Sequence, residues 1–358
     1  VKISIIDVAS PQGVDSLREI WDKGPVGYSE NVMVWSKALI ERGHEVVIFG
    51  QTKREKEVEG IRIRPLPGYE EYKSEASMFF VGRAARADWA PFQITDAAVL
   101  QIAGNLKGPV LGFAYRPMAP IPKKWWVKNW GYLSFSKWHT SYMSQLGIPS
   151  YNILNVSLPM HPDNQFDEEL AAKRPLLPRC LYASSWDRGL ELLVKLWPKI
   201  LEKCPEAELY IAYHHAEGKI VEDLRRQNIF IVGNLSFAKL KELYHSCHVL
   251  LYPCEEEVET FCYVTRKAQL AGCVPVVTPT GALPESVVEG GGIVASLDKF
   301  VGAAAALLNF KPFWEVRSRK CKNIPTVSPK EFAIRLEKAW ETVDSMKIST
   351  RQSFISLS

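Results

Sequence analysis

The chain has 358 residues, 47% of them hydrophobic and 23% charged, which excludes a disordered protein and suits two ordinary domains, each with its own core. A formal charge of +4 and a pI near 8.5 are too weak to call for nucleic acid, and suit an anionic ligand or a membrane surface. No window approaches ~18 uninterrupted apolar residues, which excludes a transmembrane helix. The seven cysteines contain no CxxC pair, and several sit inside apolar strand or helix patterns. Buried, reduced thiols are therefore expected, and with them a cytoplasmic protein. The chain opens directly on a strand, so no signal peptide is expected.

Lys2 to Val8 reads as the first buried strand, followed by a polar stretch with Gly13, Gly24 and Gly27. Apolar residues Val32, Met33, Trp35, Ala38, Leu39 and Ile40 then recur at helical spacing over Glu30 to Arg42. Gly43 ends that helix, and His44 to Phe49 is a second strand, with His44 a structural residue of the turn. Ala97 to Ile102, Pro109 to Phe113 and Tyr132 to Ser136 are further strand candidates. Lys137 to Leu146 is a helix ended by Gly147. Residues 122–130, PKKWWVKNW, interleave basic and aromatic side chains. They read as an amphipathic helix against the core, or as a surface for a membrane interface or a sugar ring. Arg116 stands in a strand-end loop where it can meet an acceptor or a phosphate, or form a surface salt bridge. From Asn155 to Arg179 prolines and polar residues mark an interdomain linker.

The second half is more regular. Strands are expected at Cys180 to Ala183, Glu208 to Tyr213, Ile229 to Val232, Val249 to Tyr252 and Val274 to Thr278. Helices are expected at Leu190 to Leu201, Glu217 to Arg226, Phe237 to Ser246, Phe261 to Leu270, Leu297 to Leu308 and Pro329 to Val343. Strands alternating with helices argue an α/β protein with a parallel sheet covered on both faces. The acidic run Glu255, Glu256, Glu257 and Glu259 falls where the strand ending at Tyr252 meets the next helix, at the end of a βαβ unit where polar sites lie. Glu255 to Glu257 read as a solvated face. No Asp-x-Asp follows a strand, so no metal site is expected. Arg188 stands at a helix start, where its charge opposes the helix dipole and calls for an anionic partner.

In Val249 to Glu285, the residues Glu259, Phe261, Ala268, Gly272, Pro275, Val276 and Val277 fall in register with a known pattern. That pattern is Glu-x-Phe-Gly, four variable residues, Glu-Ala, then Gly-x-Pro-Val-Val. The stretch resembles the donor-binding signature of retaining GT-B glycosyltransferases, in particular glycosyltransferase family 4. Two positions depart from it: Cys262 stands for the usual Gly, and Lys267 for the second Glu. LIERGHEVVIFG similarly resembles the first βαβ unit of many GT-B enzymes. Trp186-Asp187-Arg188-Gly189 resembles the family's Lys-Gly loop, though Ala183 stands where an Arg often precedes it.

The resemblance implies two Rossmann-like domains facing each other across a deep cleft. It places an acceptor-binding domain at 1–157, a donor-binding domain at 158–328, and a last helix at 329–358 returning to the first domain. It implies a retaining hexosyl transfer from a nucleotide-diphosphate sugar (UDP- or GDP-sugar) to a hydroxyl on a glycan, lipid or protein. The transfer is metal-independent and front-face, and no cofactor or nucleic acid is implied. Arg188 would bind the diphosphate and Glu259 the donor sugar. Gly233, Asn234 and Leu235 would meet the base, and Phe261, Cys262, Tyr263 and Val264 would line the phosphate site through the helix start. Gly27 would belong to an acceptor or phosphate loop. Lys267 offers only donors where a ribose needs an acceptor. Another residue then holds the ribose, or the donor carries an extra anion, or affinity is poor. The alternatives are a degenerate noncatalytic GT-B module and a sugar-nucleotide epimerase. Peripheral contact with the inner membrane face stays open, as does the oligomeric state.

Overall fold

The computed structural model describes residues 1–7, 27–50, 52, 54–80, 101–102, 104–113, 130–212, 227–255, 259–287 and 291–355, with backbone alone at 27–29, 80, 186 and 347–355. Calls on residues 8–26, on 122–129 and on 217–226, and those on Arg116, Glu256 and Glu257, lie outside the described residues.

The chain forms two compact units, divided at 161/162 and 326/327, with the segment after 326 belonging to the first. The first holds an eight-stranded sheet ordered β3-β4-β2-β1-β5-β6-β7-β8. Its strands are β1 (Lys2–Ile6), β2 (Glu45–Gly50), β3 (Lys56–Val58), β4 (Ile61–Pro65), β5 (Ala76–Phe80), β6 (Val110–Phe113), β7 (Trp130–Ser134) and β8 (Ile153–Asn155). All neighbours are parallel except β3 and β4. Helix α1 (Gly27–Glu41) precedes β2, and α2 (Lys137–Gln145) links β7 to β8. Ser136 caps α2 by accepting from the His139 amide at 3.0 Å. One face of the sheet buries Ile6, Val47, Phe49, Phe79, Val110 and Tyr132 in a common core. Against the other face Trp35 of α1 meets Phe113 edge-on, with ring centroids 5.4 Å apart.

Three expectations are corrected in this unit. Gln101 and Ile102 are helical rather than strand, because Ile102 and Leu106, one helical turn apart, pack on the same core. Trp130 is not the end of an amphipathic helix. It opens β7, buried against Phe79 at 5.2 Å. Gly27 is the first residue of α1 and not part of the loop before it. Strands β3 to β5 were not foreseen, although β4 alternates Ile61 and Ile63 with Arg62 and Arg64.

The second unit begins with α3 (Glu168–Ala172), inside the stretch expected to be an irregular linker. Asp167 caps it, accepting from the Leu170 amide at 3.1 Å. The strands are β9 (Arg179–Tyr182), β10 (Glu208–Ile211), β11 (Ile229–Ile231), β12 (Val249–Tyr252), β13 (Val274–Val277) and β14 (Ile293–Val294). The helices are α4 (Leu190–Lys203), α5 (Phe237–Ser246), α6 (Tyr263–Leu270), α7 (Leu283–Val287), α8 (Leu297–Asn309) and α9 (Lys311–Lys322). Helix α9 was not foreseen, since half of its residues are charged. The six strands are all parallel, ordered β11-β10-β9-β12-β13-β14. Alternate residues of β9 and β12 enter opposite cores: Cys180, Tyr182, Val249 and Leu251 on one face, Leu181 and Leu250 on the other. This two-sided burial is why these strands read as continuous apolar runs.

The chain then returns to the first unit as α10 (Pro329–Ile355). Phe332 packs on Trp35 at 5.0 Å, and the buried Trp340 indole donates to the Ser77 carbonyl at 3.0 Å. At Gly131 a Cβ would stand 2.7 Å from Val343, so the missing side chain is what lets α10 lie close on β7. Arg42 and His44 both bond Glu337 of α10, at 2.6 and 2.8 Å. His44 thus has the structural role expected of it.

Candidate active site

The strand order of the second sheet reverses between β9 and β12, and such a switch point opens a crevice at the carboxyl ends of the strands. The loops leaving β9 and β12 are therefore topologically bound to be neighbours. Their approach is unusually close at Gly189, which has φ +90°, and where a Cβ would fall 2.0 Å from the Pro253 carbonyl oxygen. Only glycine permits this contact. It seats Arg188, the end of a short 3-10 turn (Trp186–Arg188), against the loop from β12.

There Arg188 meets Glu259. Nη1 lies 3.0 Å from Oε1, and the two side chains are only 8% and 13% exposed. The contact is at ion-pair distance without hydrogen-bond alignment at Nη1. Burial works against the guanidinium charge, but Glu259, followed by Tyr252, Asp187 and Cys254, outweighs it and raises the Arg188 pKa. The cation is thus fixed at every accessible pH. The anionic partner that a cation at a helix start calls for is built into the chain.

Two tyrosines, each closing an apolar strand, frame the pair. Tyr252 ends β12, and its phenol donates to Glu259 Oε1 at 2.6 Å. Ser184 Oγ stands 3.2 Å from the same phenol. Tyr182 ends β9, stacks on Tyr252 at 5.9 Å, and donates to the Ser185 carbonyl at 2.7 Å. Burial, then the Glu259 charge, pushes the Tyr252 pKa far up, so the phenol stays a donor. Sequence reasoning passed over both tyrosines. The available signal was a polar-tipped aromatic at the carboxyl end of each apolar strand.

Beyond Glu259 the chain turns into α6 through Cys262, which has φ 65° and is the helix cap residue. The family signature has glycine here, and this positive φ is the reason. A side chain in the left-handed region costs roughly 1–2 kcal/mol. Thr265 Oγ1 secures the turn, donating to the Cys262 carbonyl at 2.7 Å beside Ser286 Oγ at 3.1 Å. Burial raises the Cys262 thiol pKa. Tyr263 and Val264 are the first helical residues, so their amides belong to the orphan donors of a helix start. Phe261 packs edge-on to Tyr263 at 5.1 Å, with the Arg266 guanidinium 5.8 Å above its ring.

Lys267 is buried in α6, its Nζ 5.8 Å from the ring of Phe237, the first residue of α5. Phe237 follows the segment Gly233-Asn234-Leu235, which leaves β11 and leads into that helix. Gly233 has φ 69°, and Asn234 is exposed. Glu255 is exposed as well. The structure therefore joins Arg188 to Glu259, and Lys267 to the α5 entrance. Among the described residues no group of three or more His, Cys, Asp or Glu side chains is placed to hold a metal ion.

Residues 178–309 match the family model described as Glycosyl transferases group 1. No curated protein matches the chain by sequence. Sucrose-phosphate synthase from Thermosynechococcus elongatus is 14% identical with a TM-score of 0.66, each chain covered over 100% of its length. The catalytic domain of starch synthase IV from Arabidopsis thaliana, bound to ADP and acarbose, is 12% identical with a TM-score of 0.67, covering 96% of this chain and 99% of that one. HepE from Anabaena in complex with UDP-glucose is 13% identical with a TM-score of 0.60, covering 98% and 99%. The chain has the GT-B fold of these glycosyltransferases. Its second unit carries the group 1 glycosyl transferase signature.

Proposed function

We propose that this protein is a retaining glycosyltransferase that moves a hexose from a nucleotide-diphosphate sugar, a UDP- or GDP-sugar, to a hydroxyl acceptor without a metal. The observation carrying this reading is the meeting of Arg188 and Glu259 at the switch point of the second sheet. Glycosyl transfer must stabilise a leaving diphosphate and a cationic sugar. A buried, permanently charged guanidinium serves the first, with bidentate geometry for phosphate oxygens and the α6 amides beside it. A carboxylate held by Tyr252 serves the second, accepting sugar hydroxyls and offsetting positive charge. In the free protein each ion occupies the other. An incoming donor replaces that pairing with phosphate on Arg188 and sugar hydroxyls on Glu259.

Transfer proceeds on the front face, the leaving phosphate taking the acceptor proton, with no covalent enzyme intermediate. The second unit binds the donor, and the first binds the glycan, lipid or protein acceptor. The UDP-glucose held by HepE supports a nucleotide-sugar donor. A noncatalytic module is the competing reading, favoured by the cation Lys267 where the family has its second carboxylate.

The deciding experiment is a thermal-shift and hydrolysis screen of UDP-, GDP-, ADP- and dTDP-sugars, with Arg188→Ala and Glu259→Ala, each with and without a chelator. One nucleotide sugar should stabilise the fold by about 2.7 kcal/mol at 100-fold its dissociation constant. It should be slowly hydrolysed with chelator present, and both variants should lose this. Stabilisation without turnover by any acceptor would move the noncatalytic module to the front. No stabilisation by any donor would overturn the proposal.

A further inference from the structure

Among the described residues eight large hydrophobic side chains stand exposed, and five of them fall in two short segments: Leu176, Leu177, Phe310, Phe313 and Val316. The two segments are neighbours. Arg174 lies 5.0 Å over the ring of Trp314 in α9. Beyond the arch Pro175-Leu176-Leu177-Pro178, the Arg179 amide donates to His248 Nδ1 at 3.2 Å. The His248 ring is in turn 5.0 Å from Trp314, whose indole donates to the His248 carbonyl at 2.8 Å. Both feet of the arch are thus tied around Trp314, and its tip stands free, with Leu176 96% exposed. The flanking prolines restrict the arch, so the leucines are held in water rather than folded back.

The helix beside the arch is basic. Helix α9 carries Lys311, Arg317, Arg319, Lys320 and Lys322 against Glu315 alone. Arg317 is committed to the carbonyls of Gly291 and Gly292 at 2.9 and 3.1 Å. Lys311, Arg319 and Lys320 are on the exposed side, as are Phe313 and Val316, with Lys311 3.8 Å from the exposed Glu315. A projecting apolar tip beside exposed cations suits a soft, negatively charged apolar phase better than the flat surface of a protein partner.

We propose that the arch 175–178 and helix α9 form a docking surface for anionic lipid bilayers. The leucines and phenylalanines enter the interface, and Lys311, Arg319 and Lys320 meet the headgroup phosphates. The surface lies at the amino ends of β9 and β12, whereas Arg188 and Glu259 lie at the carboxyl ends. Roughly 13 Å of strand separates them, so docking leaves the candidate site uncovered in its own unit. The inference does not depend on the catalytic reading. It also differs from the expected interfacial segment at 122–130, whose residues 122–129 lie outside the described structure.

The test is co-sedimentation of the full chain with phosphatidylcholine vesicles, with and without phosphatidylglycerol, for three proteins. They are the wild type, Leu176→Ser/Leu177→Ser and Arg319→Glu/Lys320→Glu, each checked by its melting temperature. The wild type should pellet with phosphatidylglycerol vesicles, far less with phosphatidylcholine alone, and less as salt rises. Each double variant should lower the partition coefficient at least about tenfold with the melt unchanged. The two sets of exposed residues serve as folding controls for each other. Wild type that stays in the supernatant would overturn the proposal, as would variants that pellet like wild type. So would light scattering that shows a dimer built on the same leucines with no vesicle binding.

Discussion

His139 in the first unit is a buried imidazole and His248 in the second a half-buried one, and both are held neutral. Burial pushes His139 down to about 4. Burial, with the Arg174 and Arg179 charges, does the same to His248, also to about 4. His139 accepts a long hydrogen bond from the Phe135 amide at 3.3 Å and has no partner at Nε2. The unfolded chain takes up a proton on each as pH falls through 6.5, while the folded chain resists until about 4. The stability contributed is therefore complete above pH 6.5 and is lost as pH falls toward 4, by up to about 3 kcal/mol for each imidazole. Urea unfolding midpoints measured between pH 7 and 4.5 should fall accordingly, and His139→Gln should reduce the slope, His248 and the likewise depressed His245 supplying the remainder. A slope unchanged by that variant would show that His139 titrates normally. The same scale explains the two departures from the family signature differently. Cys262 occupies a backbone position that glycine ordinarily fills, and is held there by Thr265. Lys267 is a change of chemistry rather than of backbone, and its burial against Phe237 ties it to the segment that enters α5.

Helix α10 is the element whose role depends most on distant chain. Its apolar residues Phe332, Leu336, Trp340 and Val343 are all buried in the first unit. Their spacing made the helix legible, but its partners Trp35, Ser77 and Gly131 are about 200 to 300 residues away in sequence. Trp340→Ala should cost about 3–5 kcal/mol, from the cavity and the orphaned Ser77 carbonyl. Guanidinium unfolding would measure this, and a loss below about 1 kcal/mol would mean the helix contributes little to the first unit. By contrast α3 escaped notice because it is only five residues long, and α9 because half of its residues are charged. Each is held by particular anchors, such as Asp167 with Lys241 at 3.1 Å and Trp314 with His248.

At the scale of the whole molecule, the described residues of the second unit all fall between 162 and 326, while the first is completed by a returning helix. Residues 162–326 contain a six-stranded sheet with a buried core on each face. A fragment of those residues should therefore melt as one cooperative transition by circular dichroism. Chain ending at residue 326 should leave the first unit unable to do so. A fragment without a transition would mean that the second unit needs the first in order to fold. No helix of the described residues is long and apolar enough to cross a membrane.

The sequence by itself determined the alternation of strands and helices in the second half, the helix from Phe237 to Ser246 and the strand from Val249 to Tyr252 among them. These elements bury both faces or one full stripe, and burial leaves its period in the chain. It also singled out Arg188, because a cation at a helix start is costly without an anionic partner, and Glu259, because it falls in register with the resembled donor-binding pattern. Only the tertiary structure decided that the two residues meet. That contact depends on the strand order at β9 and β12 and on the absence of a side chain at Gly189, neither of which has a local signature. The supporting tyrosines were hidden for the same reason. A buried phenol looks like any other apolar strand residue until the fold places a carboxylate 2.6 Å from its oxygen.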